Sequence, residues 1–455
     1  MNPAPGSTGA DTSHAVVLGA GISGLCAARV LADFHTRVTV VERDVFPEAG
    51  ATRRGVPQGA HVHSLTSRGA STLEEFFPGI VAELTADGAT VVSALTELDI
   101  VFFGSRLLRV PLGEVLQASR PFLEDRLRAR VGAVPHISFR PGMEAVAPVT
   151  RDATTVSGVR LARPGASDSV EVLEADLVVD AMGRAGRGAA WLGSLGYEKP
   201  AEDRLHVGVG YASRRYRIAP GAAGGDKGVL IGATPARPRG LVLTRQEHDT
   251  WVLSQYGFGK ANHPPHAPEE FHRFAAELLP AALRDTLRHA EPLTEVAAFA
   301  YPASVRRNFH RLRRLPDGLV SIGDAVCSVN PIYGAGMTVA ALEAAALRDC
   351  LAAGTDGLPR RFYRAAAKAS YLSWLFSHLA DRSLPYVPGT RPLLTGVLGK
   401  AFQATMRAAA VDPAVAAGVW NAVSLSGSPA ELAGPRVLAS VLRHGAGRPR
   451  RPHRP

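Results

Sequence analysis

The stretch SHAVVLGAGISGLCAARVLADFHTRVTVVERD, residues 13–44, decides the fold of this chain. Its pattern predicts a buried strand over residues 14–18, a glycine-rich turn over residues 19–24, a helix over residues 25–34 and a second strand over residues 37–41. A strand, a glycine-rich turn, a helix and a second strand in this order form the first unit of a parallel sheet.

The turn has the spacing G-x-G-x-x-G, with Gly19, Gly21 and Gly24. The first glycine permits a tight turn, the second lets backbone approach a pyrophosphate, and the third lets the helix pack on the strand. The helix N-terminus adds N–H donors. Glu42, 18 residues after Gly24, can accept hydrogen bonds from ribose hydroxyls and repels a 2′-phosphate. The pattern therefore predicts a site for FAD or NAD rather than NADP.

The net charge of +10 among 455 residues does not indicate a nucleic-acid-binding protein. Arginines concentrate in the end RHGAGRPRRPHRP, residues 443–455, which is predicted to be a basic disordered tail. Aromatic residues do not interleave with this charge, so no nucleic-acid partner is expected. The composition, 46% hydrophobic and 20% charged, is typical of a globular protein.

The remaining composition indicates a cytoplasmic protein. Residues 1–13 have neither a basic nor an apolar signal-peptide region and are predicted to be disordered. No apolar run reaches the roughly 18 residues that a transmembrane segment needs. Three cysteines without C-x-x-C spacing argue against a disulfide framework or a metal site: Cys26, Cys327 and Cys350.

A second nucleotide-type pattern follows late in the chain, in GDAVCSVNPIYGAGM, residues 323–337. It comes directly after a predicted buried strand over residues 318–322, and a helix follows it. Asp324 can accept a hydrogen bond from a polyol chain, while Gly334 and Gly336 leave room for a flat ring near the backbone. A compact dehydrogenase continues its sheet without interruption. A return about 280 residues after Glu42 indicates one long cofactor that both chain regions contact.

These motifs resemble those of a known family. GAGISG with Glu42, DAMGR at residues 180–184 and GDA…NPIYGAGM together resemble the FAD-dependent monooxygenases of the aromatic-hydroxylase type. RRGVPQGAHVHSL, ASRPFLEDRL and LVVDAMGRAGRGAAWLGSLG are more narrowly similar to actinobacterial flavin epoxidases of polyether biosynthesis. The resemblance covers roughly residues 14–350. It implies FAD and the insertion of one oxygen atom from O2, through a flavin C4a-hydroperoxide, into an alkene or aromatic ring of a polyketide or isoprenoid-like molecule.

The resemblance also assigns site residues. It places the pyrophosphate at Gly19, Gly21 and Gly24 and the adenosine ribose at Glu42. It implies that the loop with Gln58, His61 and His63 reaches the flavin ring from the other side, with loop packing or solvent exposure as the alternative. Further implied FAD contacts are Arg43, Arg53 and Arg120, with Asp324 at the ribityl or pyrophosphate region and Pro331, Gly334, Gly336 and Met337 along the isoalloxazine.

No Ser/His/Asp triad or carboxylate pair is needed for flavin chemistry, so catalytic residues are not determined. His61 and Arg306 are candidates for positioning or proton handling. An apolar pocket of the middle lobe is expected to hold the substrate, with Tyr211, Tyr216 and Tyr301 as candidates and core or surface placement as the alternative.

The sequence leaves two routes of electron supply open, and it leaves rival reactions open as well. Asp180-Ala181-Met182-Gly183 stands where the aromatic hydroxylases carry an Asp-Gly pair that helps handle the nicotinamide. Electrons are therefore expected either from NAD(P)H as a transient donor or from a partner flavin reductase. The rival functions are a flavin-dependent reductase of isoprenoid double bonds and a non-catalytic FAD-binding protein. The absence of a W-x-W motif disfavours a flavin halogenase.

We expect an α/β fold: a discontinuous Rossmann-like FAD-binding domain of the glutathione-reductase type, an inserted α+β substrate lobe and a helical C-terminus. The predicted segments are 14–75, 112–190 and 303–352 for the FAD-binding domain, 76–111 and 191–302 for the lobe, and 353–442 for the C-terminal helical region.

Overall fold

The computed structural model describes residues 13–48, 50–165, 170–389, 393–427 and 429–445. The helices are α1 (Ile22–Leu31), α2 (Ser67–Phe76), α3 (Ile80–Ala86), α4 (Ala94–Glu97), α5 (Arg120–Gly132), α6 (Gly188–Ser194), α7 (Pro268–Ala276), α8 (Ala281–His289), α9 (Gly336–Ala352), α10 (Leu358–Arg382), α11 (Leu393–Ala409), α12 (Pro413–Val423) and α13 (Pro435–His444).

The strands are β1 (His14–Leu18), β2 (Arg37–Glu42), β3 (Ser64–Leu65), β4 (Thr90–Ser93), β5 (Leu98–Phe102), β6 (Ser105–Arg106), β7 (Glu114–Gln117), β8 (Ile137–Pro141), β9 (Glu144–Thr150), β10 (Val156–Ala162), β11 (Glu171–Glu174), β12 (Leu177–Asp180), β13 (Glu202–Arg217), β14 (Gly228–Ile231), β15 (Arg239–Arg245), β16 (Thr250–Phe258), β17 (Glu291–Pro292), β18 (Ala297–Arg307), β19 (Leu319–Ser321) and β20 (Cys327–Ser328).

A five-stranded parallel sheet organises the first part of the fold, in the order β19-β12-β1-β2-β8. Val16 of β1 pairs with Val178 of β12 on one side and with Thr39 of β2 on the other. Because side chains alternate along a strand, Ala15 and Val17 share the core of α1 and α9, while Val16 and Leu18 pack with the antiparallel sheet β11-β10-β9. The predicted strand–turn–helix–strand unit is confirmed.

A nine-stranded sheet forms the second lobe. Its order is β20-β18-β13-β16-β15-β14-β5-β6, and β17 pairs with β13. One face packs against α7 and α8, and the other carries Tyr211, Tyr256 and Tyr301. The predicted α/β class with a Rossmann-like domain and a second lobe is confirmed, while the predicted domain boundaries stay predictions.

The C-terminal helices complete the lobe. Met406 of α11 and Trp420 of α12 share a core with Leu98 and Ile100 of β5. The predicted disordered N-terminus lies outside the described residues apart from Ser13, as does most of the predicted tail. Arg443 and His444, which we predicted to begin that tail, are instead the last residues of α13. Among the described residues, no helix combines the length and apolar character needed to cross a bilayer.

Candidate functional site

Two glycines of the glycine-rich turn lie against backbone, and the third lies against charged side chains. A Cβ on Gly19, whose φ is +103°, would lie 2.7 Å from the carbonyl oxygen of Ala181, and one on Gly24 would lie 1.8 Å from that of Gly19. A Cβ on Gly21 would instead meet the side chain of Arg120, with Nη2 at 3.4 Å. Helix α1 begins after Gly21 without a capping side chain or an acidic residue in its first turn. Its terminal N–H groups can therefore serve an anionic ligand.

The late motif meets this turn in space. Gly323, with φ +69°, approaches α1 so closely that a Cβ there would lie 2.5 Å from Ser23 Oγ. Asp324 follows directly. Burial raises the pKa of Asp324, and the charges of Arg120 and Arg184 oppose this shift. Residues separated by 300 positions thus form one polar region beside the N-terminus of α1.

A buried ion-pair cluster lies on the other side of Gly21. Arg53 Nη1 is 2.9 Å from Glu42 Oε2, and Arg53 Nη2 is 2.6 Å from Glu124 Oε2. Arg120 Nε donates to Glu124 Oε1 at 2.8 Å. Burial alone raises the pKa of Glu124, but Arg120 and Arg53 outweigh it and hold that pKa below its ordinary value. Sequence reasoning missed Glu124, although its position four residues after Arg120 in a predicted helix signals such a pair.

Glu42 already orients the turn. Its Oε2 accepts the N–H of Ala20 at 2.8 Å, and its Oε1 accepts the N–H of Asp44 at 3.0 Å. A carboxylate accepts about four hydrogen bonds, so a position remains for a ribose hydroxyl. The Arg43 side chain is 54% exposed and lies 4.0 Å from Asp44, at the rim of this cluster.

Gln117, a residue we did not predict, is fully buried with an amide that no described residue bonds. It ends β7 between Ser64 and Thr90, two residues before Ser119, which caps α5. A buried amide without a partner is costly, so a bound group that completes its hydrogen bonds is the natural explanation. Its place two residues before the Ser119-Arg120 pair is the signal that a sequence reading could have used.

The turn at residues 330–336 offers a bare backbone surface. Pro331 begins a short helical turn, Gly334 has φ +67°, and α9 starts at Gly336. A Cβ on Gly334 or on Gly336 would have no atom within 4 Å, so a flat group has room there. Met337, predicted to line the isoalloxazine, is the second residue of α9 and packs in the core shared with α1 and α9; its contact with the ring stays a prediction.

A polar network holds this turn from α10. Asp381 Oδ1 accepts hydrogen bonds from Asn330 Nδ2 at 2.9 Å and from the Tyr333 hydroxyl at 2.7 Å. The Tyr211 hydroxyl donates to Asn330 Oδ1 at 2.9 Å. Asp381 is fully buried, and no described residue bonds its Oδ2. Sequence reasoning missed Asp381, although it continues the buried stripe of Ser370, Ser373 and Ser377 along α10.

The histidine loop lies between the lobe and the ion-pair cluster. His61 Nδ1 is 2.6 Å from Ser213 Oγ, its ring packs against Tyr211 and Phe299, and no described residue bonds its buried Nε2. Burial lowers the pKa of His61 to about 4. Burial, with the charge of Arg120, lowers that of His63 to about 3. Both rings are therefore neutral at pH 7, and Gln58 lies half-buried in the turn before them.

An apolar cavity borders the same turn. Tyr211 and Tyr301 lie on this face of the large sheet. Tyr216 does not, because five positions separate it from Tyr211 on one strand; it packs on the α7 face and bonds His272. Arg306 lies away from the turn, beside the exposed Tyr371 of α10. The cavity walls are Phe102, Phe103, Leu230, Gly232, Ala233, Val242, Tyr256, Phe258, Ile332, Tyr333 and Leu384.

Comparison with known proteins identifies the ligand of this geometry. A family model described as an FAD binding domain matches residues 12–359. The chain belongs to this FAD-binding family, of the aromatic-hydroxylase type of flavin monooxygenases. The flavoprotein is 37% identical over 426 residues to Protein Rv3254 of Mycobacterium tuberculosis (strain ATCC 25618 / H37Rv). The aligned region covers 90% of this chain and 89% of that protein.

Two solved structures share the fold of the flavoprotein. One is PqsL, a probable FAD-dependent monooxygenase from Pseudomonas aeruginosa, with 19% identity, a TM-score of 0.64 and coverage of 82% of this chain and 97% of PqsL. The other is p-nitrophenol 4-monooxygenase PnpA from Pseudomonas putida DLL-E4, with 15% identity, a TM-score of 0.63 and coverage of 91% and 98%.

The side chains of the flavoprotein fit FAD. The open N-terminus of α1 with Arg53 and Arg120 suits a pyrophosphate, the bare amide of Gln117 suits a polyol, and the glycine surface at residues 334–336 suits a ring. Bound FAD supplies the redox and oxygen chemistry. The prediction of FAD is confirmed by the family, and the individual contacts stay predictions.

Proposed function

We propose that the flavoprotein is a monooxygenase that transfers one oxygen atom from O2 to an aromatic ring or an alkene of an apolar small molecule. The observation that supports this most is the cavity bordered by Ile332 and Tyr333, since these residues belong to the turn that carries the glycine surface. Five of its walls are aromatic, which suits contact with a flat aromatic or polyene substrate, as in a polyketide or an isoprenoid. The cavity volume is about 20 Å³, so its walls must move apart to admit such a molecule.

The protein must bind FAD and the substrate, orient them relative to each other and exclude water. Arg53 and Arg120 neutralise the pyrophosphate, and Asp324 accepts from the ribityl chain. His61 stays neutral and holds its Nε2 ready for a hydrogen bond at the ring or the substrate, because Ser213 fixes the ring through Nδ1. Leu384 and Val387, which follow α10, pack with the lobe sheet beside the cavity.

The proposed electron donor is NAD(P)H, used directly or through a partner flavin reductase. Asp180 accepts the N–H of Gly188 at 2.6 Å and that of Met182 at 3.2 Å. It is fully buried, so its carboxylate serves the local backbone. Anaerobic mixing with NADPH or NADH measures direct reduction of the flavin, and a partner reductase is required if neither reduces it.

Rapid mixing tests the proposal. Reduced flavoprotein is mixed with oxygenated buffer, with and without trial polyene and aromatic compounds, and visible absorbance and oxygen consumption are followed. We expect a transient absorbance species before reoxidation and substrate-dependent oxygen consumption. Leu230→Trp, which fills the cavity, should abolish that consumption while FAD stays bound. Leu283→Trp, on α8 against the other sheet face, is the matched control.

Direct reoxidation without a transient species and without substrate-dependent oxygen consumption contradicts the proposal. Hydrogenation of an isoprenoid double bond under those conditions favours the reductase, and no turnover of any compound favours a non-catalytic FAD-binding protein.

A further inference from the structure

Asp381 is a buried acid in α10, outside the motifs that identify the FAD site. Its side chain lies among uncharged groups: Asn330 and Tyr333 of the turn, Tyr211 of β13 and Tyr256 of β16. Burying a carboxyl group without a cation partner is costly, so a structural role alone would be met better by an apolar residue.

The two residues that donate hydrogen bonds to Asp381 lie at the two ends of the short helical turn before Gly334. Asn330 precedes Pro331, and Tyr333 precedes Gly334, whose left-handed backbone leads into α9. One oxygen, Oδ1, accepts both hydrogen bonds, at 2.9 and 2.7 Å. It therefore clamps both ends of the segment Pro331–Tyr333 to α10. The other oxygen, Oδ2, takes no part in this clamp.

We propose that Asp381 is a positioning residue for FAD, which fixes the turn of residues 330–334 so that its glycine surface and the N-terminus of α9 face the flavin ring. The inference rests on the proposed function only in that this turn contacts the ring. Hydrogen bonds to an ionised acceptor are about twice as strong as neutral ones, so the clamp is tightest when Asp381 is charged.

The ionisation of Asp381 provides a signature that simple packing would not. Burial raises the pKa of Asp381 to about 7, and the hydrogen bonds from Tyr333 and Asn330 oppose this shift. The titratable groups that face it are tyrosines. Burial, together with the charge of Asp381, raises the pKa of Tyr211 and Tyr333 well above the usual value, and burial raises that of Tyr256 to about 12. Only Asp381 in this group therefore changes charge between pH 6 and 8.

The test is the dissociation constant of FAD, measured by titrating apoprotein with FAD between pH 6 and 8 and following protein fluorescence. The parent should bind FAD at least threefold more tightly at pH 8 than at pH 6. Asp381→Asn keeps an Oδ1 acceptor but no charge, so it should bind FAD at every pH with the affinity that the parent has at pH 6. Asp381→Ala removes the acceptor and should raise the dissociation constant about tenfold or more at pH 8.

Tyr216→Phe is the matched control, because its hydroxyl lies on the opposite sheet face. It should keep the affinity and pH profile of the parent. The inference is wrong if the FAD affinity of the parent does not change with pH. It is also wrong if Asp381→Asn keeps the pH profile of the parent. Both results can be obtained even if Asp381→Ala fails to fold. The assay needs no oxygen or substrate, so its failure is distinct from failure of the monooxygenase proposal.

Discussion

Gly21 and Gly24 belong to one motif, yet the surrounding atoms give them different tasks. The Cβ position of Gly24 is filled by backbone at 1.8 Å, whereas that of Gly21 has its nearest neighbours at 3.4 and 3.7 Å, in the side chains of Arg120 and Glu124. Gly24 is thus required for folding, while Gly21 is required only where a ligand approaches.

A pair of alanine variants separates these tasks. Gly21→Ala should melt within a few degrees of the parent apoprotein, but its FAD dissociation constant should rise about tenfold or more, because the methyl group takes the space of the pyrophosphate. Gly24→Ala should lose the cooperative transition itself, since backbone cannot yield by such a distance. Thermal melting and FAD titration measure both effects. A Gly21→Ala variant that binds FAD like the parent removes the pyrophosphate from this turn.

At the scale of elements, α5 and the loop that carries Arg53 supply charge to the site. Glu124 of α5 joins Arg53 and Arg120, and all of these contacts lie beside Gly21. Removing one partner of a buried ion pair leaves charge without compensation, which costs about 3–5 kcal/mol. A bound pyrophosphate can return that compensation.

Glu124→Gln should therefore destabilise the apoprotein by about 3–5 kcal/mol and increase the stabilisation that saturating FAD provides. Urea unfolding with and without FAD gives both quantities. The control is Glu83→Gln, which removes the ion pair that Glu83 makes with Arg130 of α5, where both side chains are about one-third exposed; it should cost about 0–1 kcal/mol. Equal losses in the two apoproteins would contradict the cost of uncompensated buried charge. A stabilisation by FAD that is the same in Glu124→Gln as in the parent would show that the cluster does not couple to the cofactor.

The elements also show what a sequence can predict. Strands β1 and β2 follow from local patterns, so they were predicted to within a residue. The helix between them was predicted three residues too late, because α1 already begins at Ile22. Tyr211 and Tyr216 lie on opposite faces of the sheet because side chains alternate along a strand. The sequence was sufficient for this inference, but we did not make it. Glu124 and Asp381 act through partners 71 and 51 residues away, and only the packing of whole elements brings such pairs together.

At the scale of the whole molecule, several buried acids have no salt-bridge partner among the described residues, and we expect these acids to make stability depend on pH. Glu343 of α9 accepts the N–H of Gly323 at 2.6 Å, and no described residue bonds its Oε1. Burial raises the pKa of Glu343 to about 8, from 4.5. Between these values the folded protein holds a proton that the unfolded chain releases, so the free energy of unfolding falls as pH rises.

Glu343→Gln should remove this contribution, because the amide keeps an acceptor and does not ionise. The parent and the variant should be similarly stable near pH 4.5, and the variant should be more stable by a few kcal/mol at pH 8, since each pKa unit is worth about 1.4 kcal/mol. Urea unfolding of the apoproteins at pH 5, 6, 7 and 8 checks the trend. A stability difference that is constant across these values contradicts a buried, titrating Glu343.

The order of the parallel sheet has a consequence for biosynthesis. Strand β1 pairs with β12, and β19 pairs only with β12 at the edge, so the sheet is complete only after residue 321 has been synthesised. The clamp on the flavin turn needs a further 60 residues, to Asp381. A nascent chain that has left the ribosome through residue 300 therefore carries the glycine motif but none of the late half of the site. Such distant pairings also slow folding, so we expect FAD to bind only after the chain through Asp381 has left the ribosome.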